Sequence, residues 1–369
     1  WTDANGNFNP DCDLTNPNSQ DNRATGGDLC GALSDQNFGK PVFSNAIDPK
    51  LLGGWGIRPH DWGFGASIQH EVLPRVSVEV GYFLRWLDNF TTIKNLAVSP
   101  GDFTQFSLAA PSDPRLPGGG GFTVSNLYNV STSKFGQTNN LVTDAVNYGK
   151  EYSHYNGILL NATARPRSNI MFQGGINAGK TVQDLCDVRA QVPETNVAAV
   201  GTTITPNGVY PLVGPTNPFC HSDPGFVTRI TSLGSYIFPK VDVQVAVAFR
   251  SDQGGVQQAN WIVGNNILQP VLGRPISGNL PNLTINLVAP GQVWGDRVNE
   301  LDLRLSKILR FSGTRTNVGF DIYNLLNSAA VLTYNNTYNP AVTSGSGAWL
   351  APTSVLTSRF AKISVQFDF

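Results

Sequence analysis

Apolar and polar residues alternate one by one along this chain, in segments of about ten residues, the length a tilted strand needs to cross a bilayer. From Trp62 the even positions are Trp62, Phe64, Ala66 and Ile68, and the odd ones are Gly63, Gly65, Ser67, Gln69 and Glu71. After Leu73, Pro74 and Arg75 the pattern resumes as Val76, Val78, Val80, Tyr82, Leu84 and Trp86, opposed by Ser77, Glu79, Gly81 and Arg85. A period of two sends successive side chains to opposite sides of a strand, so these residues predict a tight hairpin with one greasy face and one polar face.

The same reading predicts three more hairpins. Ile158, Leu160 and Ala162 answer Ile170, Phe172 and Ile176 across a turn near Pro166–Asn169. A weakly alternating segment from about Phe226 to Ile237 turns at Phe238–Lys240 into Val241, Val243, Val245, Val247 and Phe249, whose other face carries Asp242, Gln244 and Arg250. Leu301, Leu303, Leu305 and Leu309 pair with Val318, Phe320 and Ile322 across a turn at Ser312–Arg315. Between hairpins lie long polar stretches, such as Asp88 to about Tyr148, which read as loops, and Ser251 to Arg297, a long connection with short strands near Trp261 and Leu283. Short turns on one side and long loops on the other predict an all-β, antiparallel transmembrane β-barrel, with short periplasmic turns and long external loops.

With the final segment the count is nine strands, whereas a single-chain bacterial barrel closes with an even number. The barrel is therefore expected to be partial. The chain opens at Trp1 with no Met and no leader-like segment, which reads as an interior start. Residues 1–60 are expected to form an extracellular loop region, and 61–369 the C-terminal β-barrel portion.

Composition narrows the function. Charged residues are 14% against about 25% in an average soluble domain, and 25 Lys+Arg against 26 Asp+Glu leave a formal net charge of −1 with no basic run. Nucleic acid is not an expected partner. No HExxH spacing, no GxSxG and no GK[ST] after Gly118–Gly121 is present, so no enzyme is expected. The four cysteines stand in two polar stretches, none in a CxxC spacing, and predict disulfides Cys12–Cys30 and Cys186–Cys220 in an oxidising compartment.

Two further patterns suggest sites. Asp3, Asn5, Asn7, Asp11 and Asp13 place oxygen-bearing side chains at alternate positions, a set suited to structural calcium. Phe8 and Leu14 stand where an EF-hand loop needs Gly and Glu, and Asn and Asp also crowd ordinary turns. The polar side of the strands offers Glu79, Arg85, Asp242, Arg250, Glu300, Asp302, Arg304 and Asp321 as lumen-facing groups. The chain ends with Ile363, Val365, Phe367 and Phe369 alternating with Lys362, Ser364, Gln366 and Asp368. This ending resembles the C-terminal assembly signal of bacterial outer-membrane proteins, which implies the barrel-assembly machinery and outer-membrane lipid as partners.

The stretches GWGIRPHDWGFGASIQHEVLPRVSVEVGYFLRW from Gly54, DRVNELDLRLSKILRFSGTRTNVGFDIYNLLN from Asp296 and the terminal RFAKISVQFDF resemble the C-terminal barrel part of acidobacterial Oar-like TonB-dependent receptors. The likeness runs from about Asn37 to Phe369. It implies a barrel of about 22 strands, an N-terminal plug absent from this sequence through which the TonB complex would act, and a bacterial outer-membrane location. The expected function is uptake of a large nutrient: a glycan, a peptide or a metal chelate. The alternative is a surface or adhesion protein without import. A soluble β-sandwich or propeller is a third reading, in which the Val241–Phe249 and Leu301–Leu309 faces would pack against protein.

Overall fold

The computed structural model describes residues 1–16, 18–31, 45–195, 218–311 and 314–368. It divides into two compact units, Trp1–Ala46 and Ile47–Phe369.

In the larger unit the alternating segments form long strands: β1 (His60–Leu73), β2 (Val76–Asp88), β3 (Tyr152–Ala164), β4 (Ile170–Asp184), β5 (Val227–Phe238), β6 (Val243–Asp252), β7 (Val298–Phe311), β8 (Thr314–Tyr323) and β9 (Phe360–Asp368). Each pairs antiparallel with its neighbours in sequence, giving the uninterrupted order β1 to β9. The two-residue strand His221–Ser222 adds beside the end of β4. Connections therefore alternate between a short-turn end (74–75, 165–169, 239–242) and a long-connection end (89–151, 185–226, 253–297, 324–359).

The register carries the stagger that a tilted sheet needs to curl into a barrel. Opposed residues run Val76, Ala164, Phe172, Gly234, Val247, Leu303, Ile322, Ala361 from β2 to β9. Val76 and Ala164 sit at the short-turn end of their strands, Ile322 and Ala361 at the long-connection end. The fold is all-β and compatible with a partial β-barrel.

The long sheet forms no buried apolar cluster among the described residues. Among the described residues, Ile308 is the one fully buried apolar side chain carried by the nine long strands. Row partners such as Ile68, Val80, Leu160 and Ile176 share one face and are exposed, Ile68 at 77%. The packed core lies in the long connections instead. The short strands expected near Trp261 and Leu283 are Asn260–Gly264 and Asn282–Asn286, paired with each other, and the stretch read as loop also folds into short strands, Thr91–Asn95 with Asn140–Asp144 and Phe103–Ala109 with Thr123–Val130. Phe106, Leu127, Trp261, Ile285, Tyr338 and Trp349, drawn from three different connections, belong to one buried cluster. Each Å² of apolar surface that this cluster removes from water stabilises the layer by about 25 cal/mol.

The smaller unit is stapled by Cys12–Cys30, with Cα atoms 6.2 Å apart, and by the strand pair Gln20–Asp21 with Leu29–Cys30. Its buried residues, among those described, are Asp28 and Cys30. The long strands start at His60, while the division between units falls at Ala46 and Ile47.

Candidate functional site: the polar face, the apolar belt and the loop layer

Strand parity and register fix which side chains share a face. Glu79 opposes Gln69 and Asn161, and Asn161 Nδ2 donates to Glu79 Oε2 at 3.2 Å. Arg85 on β2 reaches Asp61 on β1 at 2.7 Å. Across β5, β6 and β7 the charges form a ladder: Arg229 to Asp252 at 3.0 Å, Arg250 to Asp252 at 3.4 Å and Arg250 to Glu300 at 2.6 Å. Arg304 Nε lies 3.6 Å from the buried Asp321 on the facing strand. Asp302 Oδ1 accepts the Asn324 N–H at 2.9 Å. Glu79, Arg85, Arg250, Glu300, Asp302, Arg304 and Asp321 therefore lie on the polar side of the sheet, each with a side-chain or backbone partner. Hydrophobic rings interrupt that side at Phe83 and Tyr155, which lie over glycines of the same face, Phe83 over Gly65 and Gly81 and Tyr155 over Gly157 and Gly179.

Asp242 departs from the reading. It stands outside β6, in the turn, with φ +45°, its carbonyl accepting from Ile308 N and its carboxylate 3.5 Å from Arg310. Strand alternation could not place it, because Asp is one of the few residues other than Gly that tolerate the left-handed region. It caps the short-turn end and does not line the middle of the wall.

The opposite face is a belt. Tyr236, Val245, Leu305, Phe320 and Ile363 form one row, and Val318 with Val365 another position, most of them exposed. Ile363, Val365 and Phe367 all lie on this belt, Ile363 at 74% exposure. Phe369 lies outside the described residues. Trp62 faces Trp86 near the long-connection end, and Tyr236 meets Phe238 edge-on at 4.6 Å near the short-turn end. Phe360, a terminal aromatic, stacks on Tyr323 at 4.7 Å on the other parity, because Ala361 and not Phe360 occupies the belt position. The belt thins on β5, where Thr228, Ser232 and Gly234 share its parity.

The loop layer is locked by polar contacts between connections far apart in sequence. Arg115 pairs with Asp113 at 2.6 Å, donates to the carbonyl of Val342 at 2.8 Å and sits 5.5 Å from the Tyr338 ring centre. Tyr338 OH donates to Asp113 Oδ2 at 2.7 Å. The Arg115 guanidinium is the main cause holding the Asp113 carboxyl well below the usual carboxylate range, and burial pushes the Tyr338 phenol up. Arg274 donates to Asn129 Oδ1 at 2.7 Å and to the Val130 carbonyl at 2.9 Å, and Trp349 Nε1 to the Gln258 carbonyl at 2.7 Å. Lys94 pairs with Glu194 at 2.7 Å beside a second cluster of Phe90, Ala145, Val188 and Val192. Cys186 and Cys220 are bonded, Cys186 opening a short helix directly after β4. None of these polar pairs was read from sequence; the Asp113-x-Arg115 spacing in a Pro-rich stretch is the one local signal.

In the smaller unit the acidic and amide oxygens serve the chain itself. Asp3 accepts from Gly6 N and Phe8 N, and Asp11 Oδ2 accepts from Asn5 Nδ2 at 2.6 Å and Asn7 Nδ2 at 2.9 Å. Asp13 Oδ1 accepts from Thr15. Asp28 accepts from Asp11 N and Ala4 N, which lower its pKa. No group of three His, Cys, Asp or Glu suited to a metal occurs among the described residues. A cation at Asp3, Asn5, Asn7, Asp11 and Asp13 would compete with these hydrogen bonds.

No protein-family model matches the chain, and no curated protein matches it. Among solved structures the chain is similar to the outer membrane transporter YddB from Escherichia coli, with 12% identity and a TM-score of 0.42, over 88% of this chain and 34% of that one. The chain thus spans about a third of the length of that transporter.

Proposed function

We propose that this chain is barrel wall and external loops of an outer-membrane, TonB-dependent receptor-like transporter of the Oar-like kind, which takes up a nutrient too large for porins: a glycan, a peptide or a metal chelate. One observation carries the reading: a staggered nine-strand sheet leaves rows such as Ile68, Val80, Leu160 and Ile176 uncovered on one face and aligns Glu79, Arg85, Arg250, Glu300, Asp302, Arg304 and Asp321 on the other. In water such a face is an aggregation hazard; in hydrocarbon it is the lipid-facing surface, and the charged side looks into a wet lumen. Backbone groups on the free edges of β1 and β9 have no water to bond in a bilayer, so further strands would meet them. The exposed Ile363, Val365 and Phe367 then serve the barrel-assembly machinery, and the TonB complex acts through a plug outside this sequence.

A second reading, surface adhesion without import, draws on the loop layer, whose own core makes a fixed external surface. Fractionation of the full-length gene product tests the shared part: heat-modifiable migration and recovery in outer membranes are expected, and recovery in the soluble periplasm contradicts both. Energy-dependent uptake of a glycan, peptide or chelate, lost without TonB, separates import from adhesion.

A further inference from the structure

At the short-turn end the polar face of the sheet holds a cleft of about 750 Å³ between two turns. Arg75 comes from the β1–β2 turn, and Arg165 and Arg167 from the β3–β4 turn; Met171 and Ile237 form an apolar side. Glu71 is the one carboxylate lining it, and its Oε1 accepts the backbone N–H of Arg75 at 2.6 Å. Among the described residues none of the three guanidiniums has a carboxylate partner; Arg165 Nη2 has only the Met171 sulfur at 3.8 Å. This contrasts with the wall above, where Arg85, Arg229, Arg250 and Arg304 are all paired.

The cleft is held in shape by backbone. Arg165 N donates to the Arg75 carbonyl at 2.9 Å, joining the two turns, and Ile237 N donates to the Asn169 carbonyl at 2.9 Å, fixing the second turn to β5. Arg75 adopts φ +65°, where glycine or asparagine is the ordinary occupant. A long cationic side chain thus occupies a position that backbone preference alone would give to glycine.

We propose that this cleft binds a phosphate-bearing ligand, its oxygens held by Arg75, Arg165 and Arg167. Guanidinium forks match phosphate oxygens two at a time. Three forks with one carboxylate already engaged leave an excess of positive charge that one phosphate or diphosphate neutralises. Crowding three like charges is unfavourable at low ionic strength, and a bound dianion relieves it. The proposal goes beyond the import reading and does not need it, since binding can be measured without transport.

The test is titration calorimetry on the detergent-purified full-length protein with inorganic pyrophosphate, and with micelles doped with phosphatidylglycerol or phosphatidylcholine. Binding of pyrophosphate that weakens about tenfold or more in R75Q/R165Q/R167Q and falls with added salt supports a soluble phosphate ligand. Binding to phosphatidylglycerol micelles alone, with the same loss in the variant, supports a lipid headgroup as the source. Heat-modifiable migration checks that the variant folds; where it does not, Arg167→Gln, whose side chain makes no hydrogen bond or ion pair among the described residues, is expected to weaken binding about threefold. Absence of binding to both probes, or equal binding by folded wild type and variant, overturns the proposal.

Discussion

Ile68 and Ile285 are both isoleucines on regular strands, yet Ile68 is 77% exposed and Ile285 is fully buried. Ile68 belongs to the long sheet, where one row after another of apolar side chains meets no protein. Ile285 belongs to the loop layer, where three connections share a core. The difference teaches where each region gets its stability. The layer is held by burial within the chain, the sheet by ladder hydrogen bonds and by whatever solvent covers its belt. Under the proposed function that solvent is lipid.

The comparison can be broken from either side. The largest effect is expected for Trp261→Ala, which empties the buried cluster and should cost the loop layer about 3–5 kcal/mol. Limited proteolysis should then cut the connections while the heat-modifiable migration of the barrel persists. Loss of both together would mean that layer and sheet are one cooperative unit. Reduction of Cys186–Cys220, which spans a sequence separation of 34, should destabilise its connection by about 3–4 kcal/mol, read as a shift in the protection of Val188 and Val192 from hydrogen exchange.

On the sheet, Ile68→Arg or Leu160→Arg should cost about 2–4 kcal/mol in a bilayer near mid-depth. The same changes on a water-exposed face would stay within about 0.5 kcal/mol. Urea unfolding of the refolded barrel in vesicles distinguishes these. Asp113→Asn should weaken the layer by about 1–3 kcal/mol at neutral pH, since it loses a charge-assisted partner of Arg115 and Tyr338. Because the folded carboxyl sits below its ordinary value, its contribution is full above about pH 4 and is lost as pH falls through the lowered pKa. The gap between wild type and variant should therefore close in acid. Raised pKa values work in the other direction, so the Tyr338 contribution should fade above about pH 10. The smallest effect is expected for Arg250→Gln, about 0–1 kcal/mol, because its partners are partly solvated.

How far the sequence discloses this molecule follows from the range of the interactions. The long strands were legible, since Val76, Val78, Val80 and Tyr82 on one parity and Ser77, Glu79 and Gly81 on the other are purely local information. The side taken by Arg250, Glu300, Asp302, Arg304 and Asp321 followed from the same parity. Short strands near Trp261 and Leu283 were legible, but the core they join was not: Leu127, Trp261 and Tyr338 meet across long separations in sequence. Asp242 was misplaced because its positive φ puts it in the turn, just before β6 begins at Val243. The arginine cleft was hidden for a third reason. Arg75 and Arg165 are brought together by the register of β2 against β3, which neither turn reveals alone.

The central claim is that the belt touches hydrocarbon and the charged face touches water. Nitroxide labels on single cysteines at Gln69, Val80, Leu160, Asn161, Phe320 and Asp321, in barrels of the full-length protein refolded into vesicles, test it most directly. Val80, Leu160 and Phe320 should be relaxed by oxygen and not by a water-soluble nickel chelate, with Gln69, Asn161 and Asp321 showing the reverse preference. Equal access of the chelate to all six positions, or shielding of the belt positions from both agents, would contradict the account.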